Sequence, residues 1–73
     1  MPYVQFIVPN EGYRKQTRIL ILKKMLDWLN YYEIKFEVDI AGYELNYHFA
    51  RLDELSFFCL HPPDLPIKFN VVN

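Results

Sequence analysis

Two stretches in the middle of the chain alternate strictly between apolar and polar residues, and this pattern limits the fold more than any other feature. Residues 33–40 and 43–49 carry a large apolar side chain at every second position, and only Ala41-Gly42 separates them. Such alternation indicates two half-buried strands, and a loop of even length keeps both apolar sets on one face of a hairpin. The predicted cross-strand pairs are Ile40 with Tyr43, Phe36 with Tyr47, and Ile34 with Phe49.

A helical periodicity precedes this hairpin. Asn10 can cap the amino-terminal end, because its side-chain oxygen can accept a hydrogen bond from a free backbone N–H of the first turn. We predict a helix from Glu11 or Gly12 to about Tyr32, with one broad apolar side. That side consists of Ile19, Ile21, Leu22, Met25, Leu26, Trp28, Leu29 and Tyr32.

The two ends of the chain have the character of strands. Residues 3–8 are a short run of β-forming residues that places Val4, Phe6 and Val8 on one face. Residues 67–72 alternate around Lys68 and Asn70, which predicts a final strand.

The segment Arg51–Leu60 fits two structures. Its acidic start at Asp53 and Glu54 suits the first turn of a helix, whereas the Phe57-Phe58 pair suits a strand. We favour a short helix.

Together these segments predict one small α+β domain over residues 1–73, with an antiparallel or mixed sheet and one long helix packed on one face. The element order is then β-α-β-β-α-β, the ferredoxin-like split arrangement. The alternative order is β-α-β-β-β-β, in which a single helix crosses a meander.

The composition favours a domain with a partner. The 73 residues are 52% hydrophobic and include one Trp, six Tyr and six Phe. Domains of this size bury only about 60% of the surface that the unfolded chain exposes, so we expect some aromatic surface to face another molecule. A net charge of −1 argues against a general binder of nucleic acid or membrane surfaces.

The near-neutral charge conceals a basic cluster. Five basic residues and no acid lie between Gly12 and Leu26. Arg14, Lys15 and Arg18 fall at the amino-terminal end of the predicted helix, where free N–H groups can bind an anion. In the alternative interpretation these side chains extend outward and pair with Asp53 or Glu54.

An acidic segment follows between Glu33 and Glu54, where six acids face two bases. In the predicted register Asp39 lies opposite Glu44, a like-charge pair that opposes hairpin formation. Glu37, Asp39 and Glu44 form either a docking face for a basic partner or a solvated outer face.

The polar side of the predicted helix carries the remaining interaction surface. Tyr13, Leu20, Lys24 and Tyr31 lie there at similar angles around the axis, which indicates a contact patch. The last strand has Lys68 as its one charge, so it is weakly protected against strand addition if it lies at a sheet edge.

Side chains for catalysis or metal binding are few. Cys59 could pair with His48 or His61, but the set lacks an orienting third group, and one cysteine cannot complete a zinc site. We expect Cys59 to be buried and structural, and we predict no enzyme activity, no metal and no cofactor.

The single cysteine, the lack of a basic start in the first ten residues and the absence of a long apolar run predict a cytoplasmic protein without a signal peptide or membrane span. The leading hypothesis is a small interaction or regulatory module that forms a homodimer and docks another protein through the aromatic patch and the segregated charges. The alternative is nucleic-acid or phosphate-ligand binding through Arg14, Lys15 and Arg18. Base stacking on the sheet is not favoured, because the hairpin aromatics are predicted to lie beneath the helix.

Overall fold

A computed structural model describes residues 2–8 and 14–73 as a small α+β domain with a four-stranded antiparallel sheet and two helices. The elements are β1 (Tyr3–Ile7), α1 (Arg14–Tyr31), β2 (Phe36–Ala41), β3 (Glu44–Phe49), α2 (Leu52–Leu60) and β4 (Asn70–Val72). The predicted α+β class is confirmed. The helix favoured for Arg51–Leu60 is present as α2, so two helices accompany the sheet and the alternative order with a single helix is wrong.

The sheet order is β2-β3-β1-β4, and all three pairings are antiparallel. This order places β1 and β3 in the centre of the sheet and β2 and β4 at its two edges. Val4 and Phe6 of β1 lie opposite Tyr47 and Leu45 of β3, and all four side chains are buried. The centre of the sheet therefore supplies one wall of the core.

The β2–β3 hairpin has the predicted faces but a different register. The observed pairs are Phe36 with Phe49, Val38 with Tyr47, Ile40 with Leu45, and Asp39 with Asn46. Gly42 has a φ of 60° and Tyr43 a negative φ, as in a type II′ turn, so these two residues form the turn and Ala41 extends β2. Each pairing shifts by two residues, which keeps every side chain on its predicted face. The predicted opposition of Asp39 and Glu44 is wrong.

Helix α1 buries a narrower stripe than its sequence suggests. Ile21, Met25, Trp28 and Leu29 are buried in the core. Three residues assigned to the apolar side are exposed instead, namely Ile19, Leu26 and Tyr32. A helix that packs on a sheet buries one stripe, and α2 covers only the flank that carries Trp28.

Helix α2 follows β3 directly and packs Leu55 and Phe58 into the core. The ring of Phe58 contacts the rings of Trp28, Phe49 and Phe69. This side chain therefore connects both helices, the sheet and the segment before β4. In the described part of the chain, no helix has the length and apolar character needed to cross a membrane.

Candidate functional site

A set of aromatic rings lies between α1, α2 and the segment that follows α2. Trp28 contacts Phe57 and Phe58 of α2, with ring centroids 5.8 and 5.2 Å apart. Tyr32 lies 4.8 Å from Trp28 and 4.9 Å from Phe57, and Tyr31 packs edge-on against Tyr32 at 4.8 Å. Each ring is therefore held by its neighbours, from the buried Trp28 out to the exposed Tyr31.

Trp28 also fixes the chain that leaves α2. Its indole Nε1 donates a hydrogen bond of 3.0 Å to the backbone carbonyl of His61. Pro63 and Asp64 consequently lie beside α1 and border an open, shallow cleft of about 320 Å³. The residues that line this aromatic cleft are Lys24, Asp27, Trp28, Tyr31, Tyr32, Pro63 and Asp64.

The aromatic cleft includes half of the contact patch predicted on α1. Lys24 and Tyr31 line it, and Leu20 is exposed one helical turn before Lys24. Tyr13 lies outside the described residues. Sequence reasoning missed Tyr32 and Pro63, although the sequence contains a signal for them. Tyr32 follows Trp28 by four residues, and the Pro62-Pro63 pair must leave α2 as an extended segment that packs on a neighbouring surface.

Removing the indole donor tests how the cleft is held. We expect Trp28→Phe to lower the free energy of unfolding by about 1–2 kcal/mol, because the His61 carbonyl loses its partner while most of the ring packing remains. Urea denaturation followed by far-UV circular dichroism measures this change without relying on the lost tryptophan. Tyr32→Phe is the control, since it keeps the ring and removes only a hydroxyl of an exposed residue. Equal stability of Trp28→Phe and Tyr32→Phe would contradict a structural role for the hydrogen bond.

The predicted anion site is not assembled by the described residues. The Arg18 guanidinium donates a hydrogen bond of 3.0 Å to the Gly42 carbonyl, so this side chain is engaged with the β2–β3 turn. Lys15 is exposed on α1, and Asn10 and Gly12 lie outside the described residues. The backbone of Arg14 begins α1.

The alternative interpretation of the basic cluster pairs it with Asp53 or Glu54, and the contacts of Asp53 bear on it. Asp53 forms a bidentate pair with Arg51, with both N–O distances 3.0 Å. Hydrogen bonding and charge from Arg51 lower the pKa of the Asp53 carboxyl below its usual value. Asp53 therefore pairs with Arg51 and accepts a hydrogen bond from the Glu54 N–H in the first turn of α2. Among the described side chains, no basic residue of α1 pairs with it.

The predicted acidic residues lie on the face of the sheet opposite the core. Glu37 and Asp39 of β2 are exposed there, opposite His48 and Asn46 of β3, and Glu44 is half-buried near the turn. Asn46 of β3 is buried between its neighbours on β1 and β2, and its side-chain oxygen has no hydrogen-bond partner among the described residues. The open face is thus acidic and polar at its β2 side.

Aromatic side chains are divided between the two faces of the sheet. Tyr47 and Phe49 are buried beneath the helices, as the sequence predicted, and Phe36 of the same row is half-buried. The prediction is wrong for Tyr43, which is exposed at the turn. On the open face Tyr3 contacts His48, with ring centroids 4.8 Å apart, a pair that sequence reasoning did not identify. The strand alternation alone would have placed both rings on that face.

Cys59 is exposed on α2, so the prediction that it is buried is wrong. The core side of α2 is occupied by Leu55 and Phe58, and the next position is rotated about 100° away from the core. Within residues 2–8 and 14–73, no group of three or more His, Cys, Asp or Glu side chains is arranged to hold a metal ion.

No protein-family model matches this chain, and neither a curated protein nor a solved structure shows significant similarity to it.

Proposed function

We propose that this chain is a protein–protein interaction module, without catalytic activity of its own, that works as a cytoplasmic homodimer and docks a partner protein through the aromatic cleft. The observation that carries the proposal is Tyr31, which is 78% exposed and yet packed edge-on against Tyr32 over the buried Trp28. Exposed aromatic rings that neighbouring rings already hold in place are typical of binding hot spots.

The aromatic cleft has both the apolar centre and the polar rim that are typical of a binding site. Trp28, Tyr31 and Tyr32 offer large apolar area that loses little conformational freedom on binding. Lys24, Asp27 and Asp64 form a polar rim whose formal charge is −1. This arrangement fits an extended peptide segment that inserts an apolar or proline side chain next to a basic residue.

The charge distribution supports the same function. Glu37 and Asp39 lie on the open face of the sheet, whereas Lys15, Lys23 and Lys24 belong to α1 on the other side of the domain. Segregated charge of this kind orients an approaching protein and raises the rate of encounter. A single exposed thiol, Cys59, suits a reducing compartment such as the cytoplasm.

The proposal includes a ferredoxin-like arrangement for the fold. The element order β-α-β-β-α-β and the strand order β2-β3-β1-β4 support it, since both agree with the split arrangement named from the sequence.

Nucleic-acid or phosphate binding at the start of α1 is the less favoured candidate. One Nη of the Arg18 guanidinium donates to the Gly42 carbonyl, which directs this side chain to the β2–β3 turn, and the acidic open face repels phosphate groups. Salt-dependent binding of an oligonucleotide that is lost in Arg14→Ala/Arg18→Ala would reverse this ranking.

Affinity capture of partner proteins from the native cell, compared between wild type and variants, tests the docking function. We expect the tagged chain to retain a specific partner protein that Tyr31→Ala loses by at least tenfold, because a hot-spot residue contributes about 2 kcal/mol or more. Leu60→Ala is the matched control, since Leu60 is equally exposed but lies at the end of α2 outside the cleft. Equal capture by wild type and Tyr31→Ala, or equal loss in both variants, would reject the aromatic cleft as the docking site.

A further inference from the structure

The β2 edge of the sheet is open to another strand. β2 has six residues without proline, and its outer edge pairs with no strand in the described ranges. β4, at the opposite edge, has only three residues. Long, regular edge strands are templates for strand addition unless charge, proline or a bulge protects them.

Apolar side chains border this edge on the core side of the sheet. Val38 and Ile40 are 38% and 50% exposed, although their cross-strand partners Tyr47 and Leu45 are buried. The apolar row of the hairpin is therefore covered at β3 and left uncovered at β2.

Helix α1 exposes two further apolar residues on its side away from α2. Ile19 and Leu26 are 56% and 47% exposed and lie about 180° and about 160° around the helix axis from Trp28, which faces α2. The hydrogen bond from Arg18 to the Gly42 carbonyl places the start of α1 at the β2–β3 turn. We call Ile19, Leu26, Val38 and Ile40 together the β2 edge surface.

We infer that a second copy of this chain covers the β2 edge surface, and that the two β2 strands pair antiparallel about a two-fold axis at Glu37. In this register Lys35, the residue that precedes β2, lies opposite Asp39 of the second copy, and the two-fold symmetry forms this ion pair twice. On the core side Phe36 lies opposite Val38 of the second copy, so the apolar row of β2 continues into the second subunit. The inference rests on the homodimer in the proposed function and names its interface.

The charged residues favour the register about Glu37 over the neighbouring registers about Val38 and Asp39. Pairing about Val38 would place Glu37 opposite Asp39 twice. Pairing about Asp39 would place two copies of that carboxylate on the axis and Lys35 opposite Tyr43, so the two ion pairs between Lys35 and Asp39 would be lost. A shift by one residue would put the helices of the two copies on opposite faces and break the apolar row. Pairing about Glu37 leaves one like-charge contact on the axis, with Lys35 diagonal to it from each side.

A pair of lysine substitutions on the two edge strands tests the interface. We expect wild type to be dimeric in sedimentation equilibrium at tens of micromolar, Ile40→Lys to be monomeric and Val71→Lys to remain dimeric. Val71 is the matched control because it lies on the core face of the other edge strand, β4, and is 43% exposed. Circular dichroism establishes that Ile40→Lys is folded. A monomeric wild type, or a dimer that survives Ile40→Lys, overturns the inference.

Cysteine cross-linking tests the register. In a Cys59→Ser background, Glu37→Cys places two thiols directly opposite each other on the axis, at a Cα separation of about 4.5–5.5 Å that a disulfide can span. We expect mild oxidation to convert this variant to a covalent dimer and to leave Val38→Cys in the same background uncross-linked. Cross-linking through Val38→Cys alone, or through neither variant, overturns the proposed register.

These measurements separate the dimer from the docking function. Tyr31 and the aromatic cleft lie on the α2 side of α1, away from the β2 edge surface. Loss of partner capture in Tyr31→Ala with an intact dimer would concern docking alone, whereas a monomeric wild type that still captures its partner would reject only the dimer.

Discussion

Replacing Phe58 by alanine is expected to lower the free energy of unfolding by about 3–5 kcal/mol, the largest effect of any single substitution considered for this domain. The Phe58 side chain is fully buried, and its ring contacts Trp28 of α1, Phe49 of β3 and Phe69 before β4. Truncation removes the shared contact of four segments at once. The rings around the cavity are also held by other neighbours, Trp28 by Phe57 and Phe69 by Phe6, which limits how far they can move to fill it. Small domains have a free energy of unfolding of about 5–15 kcal/mol in total, so a large part of it depends on this residue.

Urea denaturation at one fixed protein concentration measures the effect of Phe58→Ala. Leu60→Ala on the same helix is the control, because that side chain is exposed and its removal should change stability by less than about 0.5 kcal/mol. Phe58→Leu should fall between the two, since it keeps part of the buried volume. If Phe58→Ala and Leu60→Ala unfolded at similar urea concentrations, the packing of α2 described above would be contradicted.

Local patterns in the sequence predict the elements of this fold well. The alternation of residues 33–49 identifies both strands of the hairpin and the face of each side chain, because strand geometry leaves only two orientations. The exact register depends on which two residues form the turn. Gly42 accepts a positive φ at the first central position of a type II′ turn, and this shifts the turn to Gly42-Tyr43.

Properties set by tertiary packing are less accessible from sequence. Ile19 and Leu26 fit an apolar helical side as well as Ile21 and Met25 do, and only the position of α2 and the width of the sheet decide which of them are buried. Cys59 is exposed for the same reason, since Leu55 and Phe58 determine which side of α2 faces the core.

Local sequence patterns likewise predict one part of the candidate site and not the part that depends on tertiary contacts. Helical spacing places Leu20, Lys24 and Tyr31 on one flank of α1, but the cleft also needs Pro63, which is brought there by a hydrogen bond between residues 33 positions apart in the chain. Contacts of such long range leave no local periodicity that a sequence pattern could reveal.

Raising the pH is expected to destabilise the domain through Tyr47. Its side chain is buried at the centre of the sheet, between the rings of Phe6 and Phe36, and burial raises the pKa of Tyr47 from 10.0 to about 12. Between these two values the unfolded chain has released the phenolic proton while the folded domain retains it. The free energy of unfolding is therefore unaffected by this group below pH 10 and falls as the pH rises from 10 towards 12, by about 2 kcal/mol in all.

Tyr47→Phe isolates this contribution from that of the lysines and the more exposed tyrosines, because it keeps the buried ring and removes the ionisable hydroxyl. Urea midpoints measured at intervals from pH 8 to the highest pH at which the domain refolds should decline more steeply for wild type than for Tyr47→Phe, with the two curves separating only above pH 10. Below that pH their difference should stay constant, since the hydroxyl is protonated in both the folded and the unfolded chain. Parallel curves over the whole range would mean that Tyr47 ionises as easily in the folded domain as in the unfolded chain, and would contradict the enclosure of its ring between Phe6 and Phe36.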